Sequence, residues 1–250
     1  MNLFDVKDKK VIITGGATGL GKGMTEGFLE YGAKAAVIDI SPKLNDTVHE
    51  LSELGEIYGI YGDISSEEGR TSAFNKALKI LGGVDIMVNC AGIQKRHPSE
   101  EFPLSDWDKV IEINLTAVFH LCSLAGNEML KNGYGKIINV ASMLSFFGGF
   151  TVPAYAASKG GVAQLTKALS NEWAHRGVNV NAIAPGYMAT EMNTAIINNE
   201  ERNRQITARI PAKRWGTPND VKGVVLFLSS AAADYINGAI IPVDGGYLGC

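Results

Sequence analysis

A serine, a tyrosine and a lysine stand at Ser142, Tyr155 and Lys159, in ASMLSFFGGFTVPAYAASKGG (141–161), a stretch otherwise made mainly of small and apolar residues. In a helix begun by Pro153, the four-residue spacing of Tyr155 and Lys159 puts both side chains on one face. An unperturbed phenol, with a pKa of about 10, is too weakly ionised to act as a base near neutrality. A fixed ammonium beside it, with a second cation nearby, would lower that value and make Tyr155 a workable proton donor and acceptor. Ser142, just past a strand, would hold the same substrate oxygen. The Tyr-x-x-x-Lys spacing also occurs in ordinary helices, so it carries weight only in company.

The elements around these residues alternate. Apolar, β-rich runs occur at 11–14, 35–39, 57–63, 84–89, 136–142, 178–184 and 239–244, with helical patterns between them. Runs apolar on both faces fit strands covered by helices on each side, and right-handed crossovers then make the sheet parallel. The pattern predicts an α/β fold: a doubly wound, seven-stranded parallel sheet with helices on both faces, the Rossmann arrangement, in one domain over 1–250. A long helical pattern from Ser105 to about Lys131 carries Phe119, Leu121 and Leu124, which fit subunit packing as well as core. The polar stretch from 189 to 219 is long for a strand-to-helix connection and fits a lid over a substrate.

TGGATGLG (14–21) follows the first strand and opens a helix expected to reach about Tyr31. Gly15, Gly19 and Gly21 allow a tight turn, bring backbone N–H groups near a pyrophosphate and seat the helix against the sheet. Asp39 ends the second strand, where a carboxylate accepts hydrogen bonds from a ribose hydroxyl and repels a 2′-phosphate, which favours NAD over NADP. Asp63 and Asn89 stand at the ends of the third and fourth strands, the ligand edge of such sheets; capping a turn is the plainer role for each.

The 250 residues, net charge of −3 and hydrophobic share of 46% suit a large single core and disfavour broad attraction to nucleic acid or anionic membrane. Three cysteines without a C-x-x-C pair, no apolar run of about 18 residues and no cationic leader point to a cytoplasmic protein. None of the four histidines has a partner at metal-ligand spacing.

Taken in order, TGGATGLG, Asp39, Asp63, NCAG (89–92), Asn114, Ser142, YAASK (155–159), VNVNAIAPG (178–186) and VDGG (243–246) resemble the short-chain dehydrogenase/reductase family from Lys10 to Gly246. Cys90 departs from the second Asn that many relatives carry there. The resemblance implies Tyr155 as acid/base, Lys159 lowering its pKa and binding ribose, Ser142 positioning the substrate oxygen, and Asn114 holding a relay water. It implies a dinucleotide site made of Gly15, Thr18, Gly19, Leu20, Asp39, Asp63, Ile64, Asn89, Ala91, Gly92, Pro185, Gly186, Met188 and Thr190, with Tyr155 and Lys159.

GIQKRHP followed by EFP resembles gluconate 5-dehydrogenases, while ASMLSFFGG, NAIAPGYMAT and RIPAKRWGTPND resemble 2-dehydro-3-deoxy-D-gluconate 5-dehydrogenases. Both imply a sugar acid meeting Gln94, Arg96, Ser142, Met143, Ser145, Tyr187 and either Arg214 or Trp215. A packing role suits Met143, Tyr187 and Trp215 as well. Family relatives are commonly tetramers, which makes a homotetramer the expectation. A 3-oxoacyl thioester reductase and a silent NAD-binding protein stay open as alternatives.

Overall fold

In a computed structural model describing residues 2–250, seven parallel strands form one sheet. They are β1 (Lys10–Thr14), β2 (Lys34–Asp39), β3 (Ile57–Tyr61), β4 (Ile86–Asn89), β5 (Gly135–Val140), β6 (Val178–Pro185) and β7 (Ile240–Val243), in the spatial order β3-β2-β1-β4-β5-β6-β7. Thr14 pairs with Ile38 on one side and Asn89 on the other. The order therefore reverses at β1, and the crevice past the carboxyl ends of β1 and β4 is where such sheets bind ligands.

The strands read as continuous apolar runs because both faces are covered. Ile12 and Met87 point to the side packed by Phe74, Ala77, Leu121 and Met129. Their neighbours Val11, Ile13, Ile86 and Val88 point to the other side, against Met24, Phe28, Val221 and Val225. Alternation along a strand splits one run between two cores.

All seven predicted strands are present, several shorter at their ends. β3 stops at Tyr61, not Asp63, because Asp63 turns its carboxylate onto the N–H of Ser65 at 2.8 Å. β5 stops at Val140, where Ser142 leaves the ladder to cap the next turn through the N–H of Leu144 at 3.2 Å.

The helices are α1 (Gly19–Glu30), α2 (Leu44–Leu51), α3 (Glu67–Leu81), α4 (Leu104–Ile111), α5 (Ala117–Asn132), α6 (Pro153–Trp173), α7 (Thr194–Ile197), α8 (Glu200–Arg209) and α9 (Asn219–Ser229). The predicted helix over 105–131 is in fact α4 and α5 joined by a π-helical turn, Glu112–Thr116. That turn widens the helix by one residue where Asn114 faces inward, with none of its surface exposed. Together they form a helix long and apolar enough, by length and composition, to cross a membrane. In this fold Leu121, Cys122, Ala125 and Met129 are core, while Phe119 is 50% exposed. The 189–219 segment is not a bare loop: it folds into α7 and α8, and the indole N–H of Trp215 donates to Asn203 at 2.9 Å.

Candidate active site

The site is built from the carboxyl ends of the strands. Gly15 has φ +69° and Gly19 φ +53° in the loop between β1 and α1. A methyl group at Gly15 would lie 2.8 Å from Ala91 Cα, and one at Gly21 would lie 2.0 Å from the Gly15 carbonyl oxygen. Only hydrogen fits at either position, so the loop is closed tightly enough to aim its N–H groups at one point. Thr18 makes no side-chain cap and the first turn of α1 holds no acidic residue. Those helix N–H groups are thus unclaimed by the protein, as an anion site requires.

Asp39 fixes this loop in place. One carboxylate oxygen accepts from the Ala17 N–H at 3.0 Å and the other from the Ser41 N–H at 2.8 Å. Thr14 does the same for the far wall, its hydroxyl accepting from the N–H groups of Cys90 and Ala91 at 3.2 and 3.3 Å.

An open groove runs over these elements. Gly15, Thr18, Gly19 and Leu20 line it from the phosphate loop, and Asp39, Asp63 and Ile64 from the ends of β2 and β3. Ala91 and Gly92 line it after β4, and Pro185, Gly186, Met188 and Thr190 after β6, with Tyr155 and Lys159 at its base. A diphosphate-linked dinucleotide therefore fits the donors and shape present.

Asn89 is the exception among the predicted cofactor residues. It is 2% exposed and lies beneath the groove, its amide nitrogen donating to Asn139 at 2.9 Å, while Asn139 in turn donates to Thr166 at 3.0 Å. This chain ties β4 to β5 and α6, so Asn89 braces the floor and does not line the groove. Cys90 lines it instead, and burial pushes that thiol up to about 12, which keeps it protonated and unreactive.

Ser142, Tyr155 and Lys159 all line the groove, and the Ser142 hydroxyl acts on the Tyr155 phenol in the sense that favours phenolate. The electrostatics differ from the sequence expectation. Burial raises the Tyr155 pKa, with Ser142 pulling it back; Lys159 is not among the groups that shift it. The Lys159 ammonium lies 5.7 Å from the centre of the Tyr155 ring and donates to the Val140 carbonyl at 2.6 Å. Its own pKa is lowered to about 8 by burial. The protein alone thus holds the phenol protonated at neutral pH.

Asn114, buried behind the groove wall, ties two of its elements together. Its side-chain oxygen accepts from the Ile93 N–H at 2.8 Å, and its nitrogen donates to the Ile93 carbonyl at 2.9 Å and the Ser158 hydroxyl at 3.2 Å. Ser158 in turn donates to the Tyr155 carbonyl at 2.8 Å. These bonds pin the Gly92–Ile93 wall and the first turn of α6.

The predicted substrate contacts are dispersed. Ser145 donates to the Lys159 carbonyl at 2.6 Å and accepts from the Ser142 N–H at 3.3 Å, so it positions both catalytic neighbours. Met143 packs with Ile206, Ile210 and Tyr247, and Tyr187 lies edge-on to Trp215 and Tyr247. Of the cationic loop, Lys95 and His97 pair with Asp106 at 3.5 and 2.8 Å. Arg96 is exposed and donates to the Phe150 carbonyl and Thr151 hydroxyl, both at 3.3 Å. Arg214 is held by Asp220. Gln94, half-buried beside Arg96, lies outside the groove lining. Sequence reasoning missed Ile93 and Ile113 in the groove wall, and Glu191, Met192 and Asn193 at its rim. Ile113 was hidden because a regular helix would have turned it elsewhere.

Residues 15–248 match the family profile described as enoyl-(acyl carrier protein) reductase. A 2-dehydro-3-deoxy-D-gluconate 5-dehydrogenase of Dickeya dadantii is 43% identical over 251 residues, covering 99% of this chain and 98% of that protein. A 5-keto-D-gluconate 5-reductase of Escherichia coli is 38% identical over 249 residues, covering 99% and 98%. A solved structure from Beutenbergia cavernae, provisionally described as an NAD(P)-dependent gluconate 5-dehydrogenase and carrying NADP at low occupancy, superposes over all of both chains with a TM-score of 0.96 at 40% identity. With the sheet order, the phosphate loop and the Ser142–Tyr155–Lys159 grouping in agreement, the chain belongs to the short-chain dehydrogenase/reductase family of nicotinamide-dependent oxidoreductases.

Proposed function

We propose that this chain interconverts a secondary alcohol and a ketone on a six-carbon sugar acid, of the 2-dehydro-3-deoxy-D-gluconate or 5-keto-D-gluconate type, and that it prefers NAD(H). The observation that carries the chemistry is the meeting of Ser142, Tyr155 and Lys159 at one end of a dinucleotide-shaped groove. The substrate class rests on the names of near full-length relatives. The family profile's own description names an acyl carrier substrate, so a thioester reductase is the competing reading.

The bound dinucleotide would supply or accept the hydride. Tyr155 gives its phenolic proton to the forming alkoxide in reduction and takes it back in oxidation, while the Ser142 hydroxyl holds that oxygen in register. Lys159, its pKa lowered to about 8 by burial, is the group we assign to pass the proton onward. Arg96 is the cation we assign to the substrate carboxylate: its two 3.3 Å bonds are long and exposed, and a carboxylate binds a guanidinium fork more strongly than a carbonyl does.

The NAD preference rests on Asp39, a carboxylate where a 2′-phosphate would come, and on Lys159 being the one cation lining the groove among the described residues. Three free thiols fit a reducing cytoplasm, and the exposed Leu104 and Phe119 on α4 and α5 fit burial in a homotetramer.

The test is steady-state turnover of 2-dehydro-3-deoxy-D-gluconate, gluconate and 5-keto-D-gluconate with NAD(H) and NADP(H). NAD(H)-linked turnover of at least one is expected; absence of turnover on all three removes the sugar-acid reading. The direction of the Tyr155 shift also predicts opposite pH behaviour for the two directions. Oxidation needs phenolate, so its kcat/KM should climb about tenfold per unit as pH rises through neutrality. Reduction needs the phenol and a proton on Lys159, so it should hold level at neutrality and fall above about 8. Initial rates from pH 6 to 10 in both directions check this.

A further inference from the structure

An ion pair crosses the mouth of the cofactor groove. Lys43, in the turn between β2 and α2 and four residues beyond Asp39, donates to Glu191 of the 189–219 segment. Glu191 lines the groove, as Asp39 and Ile40 do. Lys43 thus carries an ammonium to the rim of the groove at the Asp39 end. The turn that carries it is fixed: Asp39 accepts from the Ser41 N–H at 2.8 Å, and the Ser41 hydroxyl accepts from the Lys43 N–H at 3.2 Å. The pair itself is loose, its side chains 57% and 71% exposed, so solvent screens it and another anion can compete for the lysine.

Charge at the two ends of the groove is unequal. The lining cation, Lys159, is at the Tyr155 end, held on the Val140 carbonyl. At the other end the lining charges are Asp39, Asp63 and Glu191, all negative. A ribose 2′-hydroxyl meets no penalty there. A 2′-phosphate meets a wall of carboxylates, and Lys43 is the ammonium that reaches this rim already paired with one of them.

Resting on the NAD reading above, we infer that Lys43 and Glu191 form a charge switch that sets the ratio of NADP to NAD binding. With a 2′-hydroxyl, Lys43 stays on Glu191. With a 2′-phosphate it changes partner, and Glu191 is the intramolecular competitor that limits NADP affinity. Lys43 is then the group that lets this fold admit NADP at all beside Asp39.

The test is the dissociation constants of NADH and NADPH, read from nicotinamide fluorescence at low ionic strength without substrate, for the wild-type chain, Lys43→Met and Glu191→Gln. The wild type should bind NADH more tightly. Lys43→Met should lower the NADPH-to-NADH affinity ratio about tenfold, as expected for loss of one charge-assisted bond. Glu191→Gln should raise that ratio about fivefold by releasing the lysine, and added salt should shrink both effects. An unchanged ratio in Lys43→Met overturns the switch. So does an equal weakening of both cofactors by both variants, which would make the pair a simple clasp. A wild type that prefers NADPH overturns the NAD reading instead, while the response of the ratio to Lys43→Met still decides the switch.

Discussion

Replacing Tyr155 with phenylalanine is expected to lower kcat about 10³-fold in both directions while leaving dinucleotide binding within about twofold of wild type, the scale set by loss of a positioned acid/base. The change removes one oxygen from a groove-lining side chain and keeps the ring. The backbone carbonyl of Tyr155 still accepts from Ser158, and Ala154 and Ser158 beside it remain buried, so the start of α6 keeps its anchors. Thermal stability should therefore move little. Turnover and NADH fluorescence titration on the same preparation separate the two effects. A Tyr155→Phe variant with more than about a tenth of wild-type kcat would remove the phenol from the proton transfer.

Replacing Gly21 with alanine should act at the other end of the groove and through geometry alone. Its methyl carbon would sit 2.0 Å from the Gly15 carbonyl oxygen and 2.7 Å from the Gly15 carbonyl carbon, both backbone atoms with no rotamer to yield. Gly15 in turn donates its N–H to Ile38 at 2.9 Å, so relieving the clash shifts the phosphate loop away from β2. Overpacking of this kind costs about 1–3 kcal/mol, and because the strain falls on the loop that faces the pyrophosphate, dinucleotide affinity should drop about 10- to 100-fold. Gly223 in α9 is the control. Nothing lies within 4 Å of a methyl group there, and alanine at that helical position should leave binding alone and raise stability by about 0.5–1 kcal/mol. Isothermal titration with NADH and thermal melts of both variants check the pair.

The sheet and the phosphate loop were legible in the sequence because local rules govern them. A parallel strand covered on both faces must be apolar at every position, and a turn closed by a 2.0 Å approach must be glycine. What was hidden depends on contacts between distant elements. Asn114 could be placed near the site, but its bonds to Ile93 and Ser158 require the π-turn of residues 112–116, which no periodicity announces. The pairing of Lys95 and His97 was hidden because Asp106, their partner, comes from the start of α4. Lys159 was expected to act directly on the phenol, as i, i+4 spacing allows. Its ammonium goes instead to Val140, a carbonyl 19 residues earlier at the end of β5. Helical spacing fixes which face a side chain leaves from, whereas the carbonyl it finds is set by tertiary packing.

The grouping of Ser142, Tyr155 and Lys159 accounts for proton transfer to any ketone that enters the groove; the central claim is that the ketone belongs to a sugar acid. The most direct measurement sets 5-keto-D-gluconate and 2-dehydro-3-deoxy-D-gluconate-type keto acids against an acetoacetyl thioester, as reductive kcat/KM with NADH and NADPH on one enzyme preparation. The sugar-acid reading predicts NADH-dependent reduction of a keto sugar acid with kcat/KM at least about 100-fold above the thioester, the discrimination available to a site that recognises hydroxyls and a carboxylate. Efficient NADPH-dependent reduction of the thioester, with no reaction on the keto sugar acids, would contradict it.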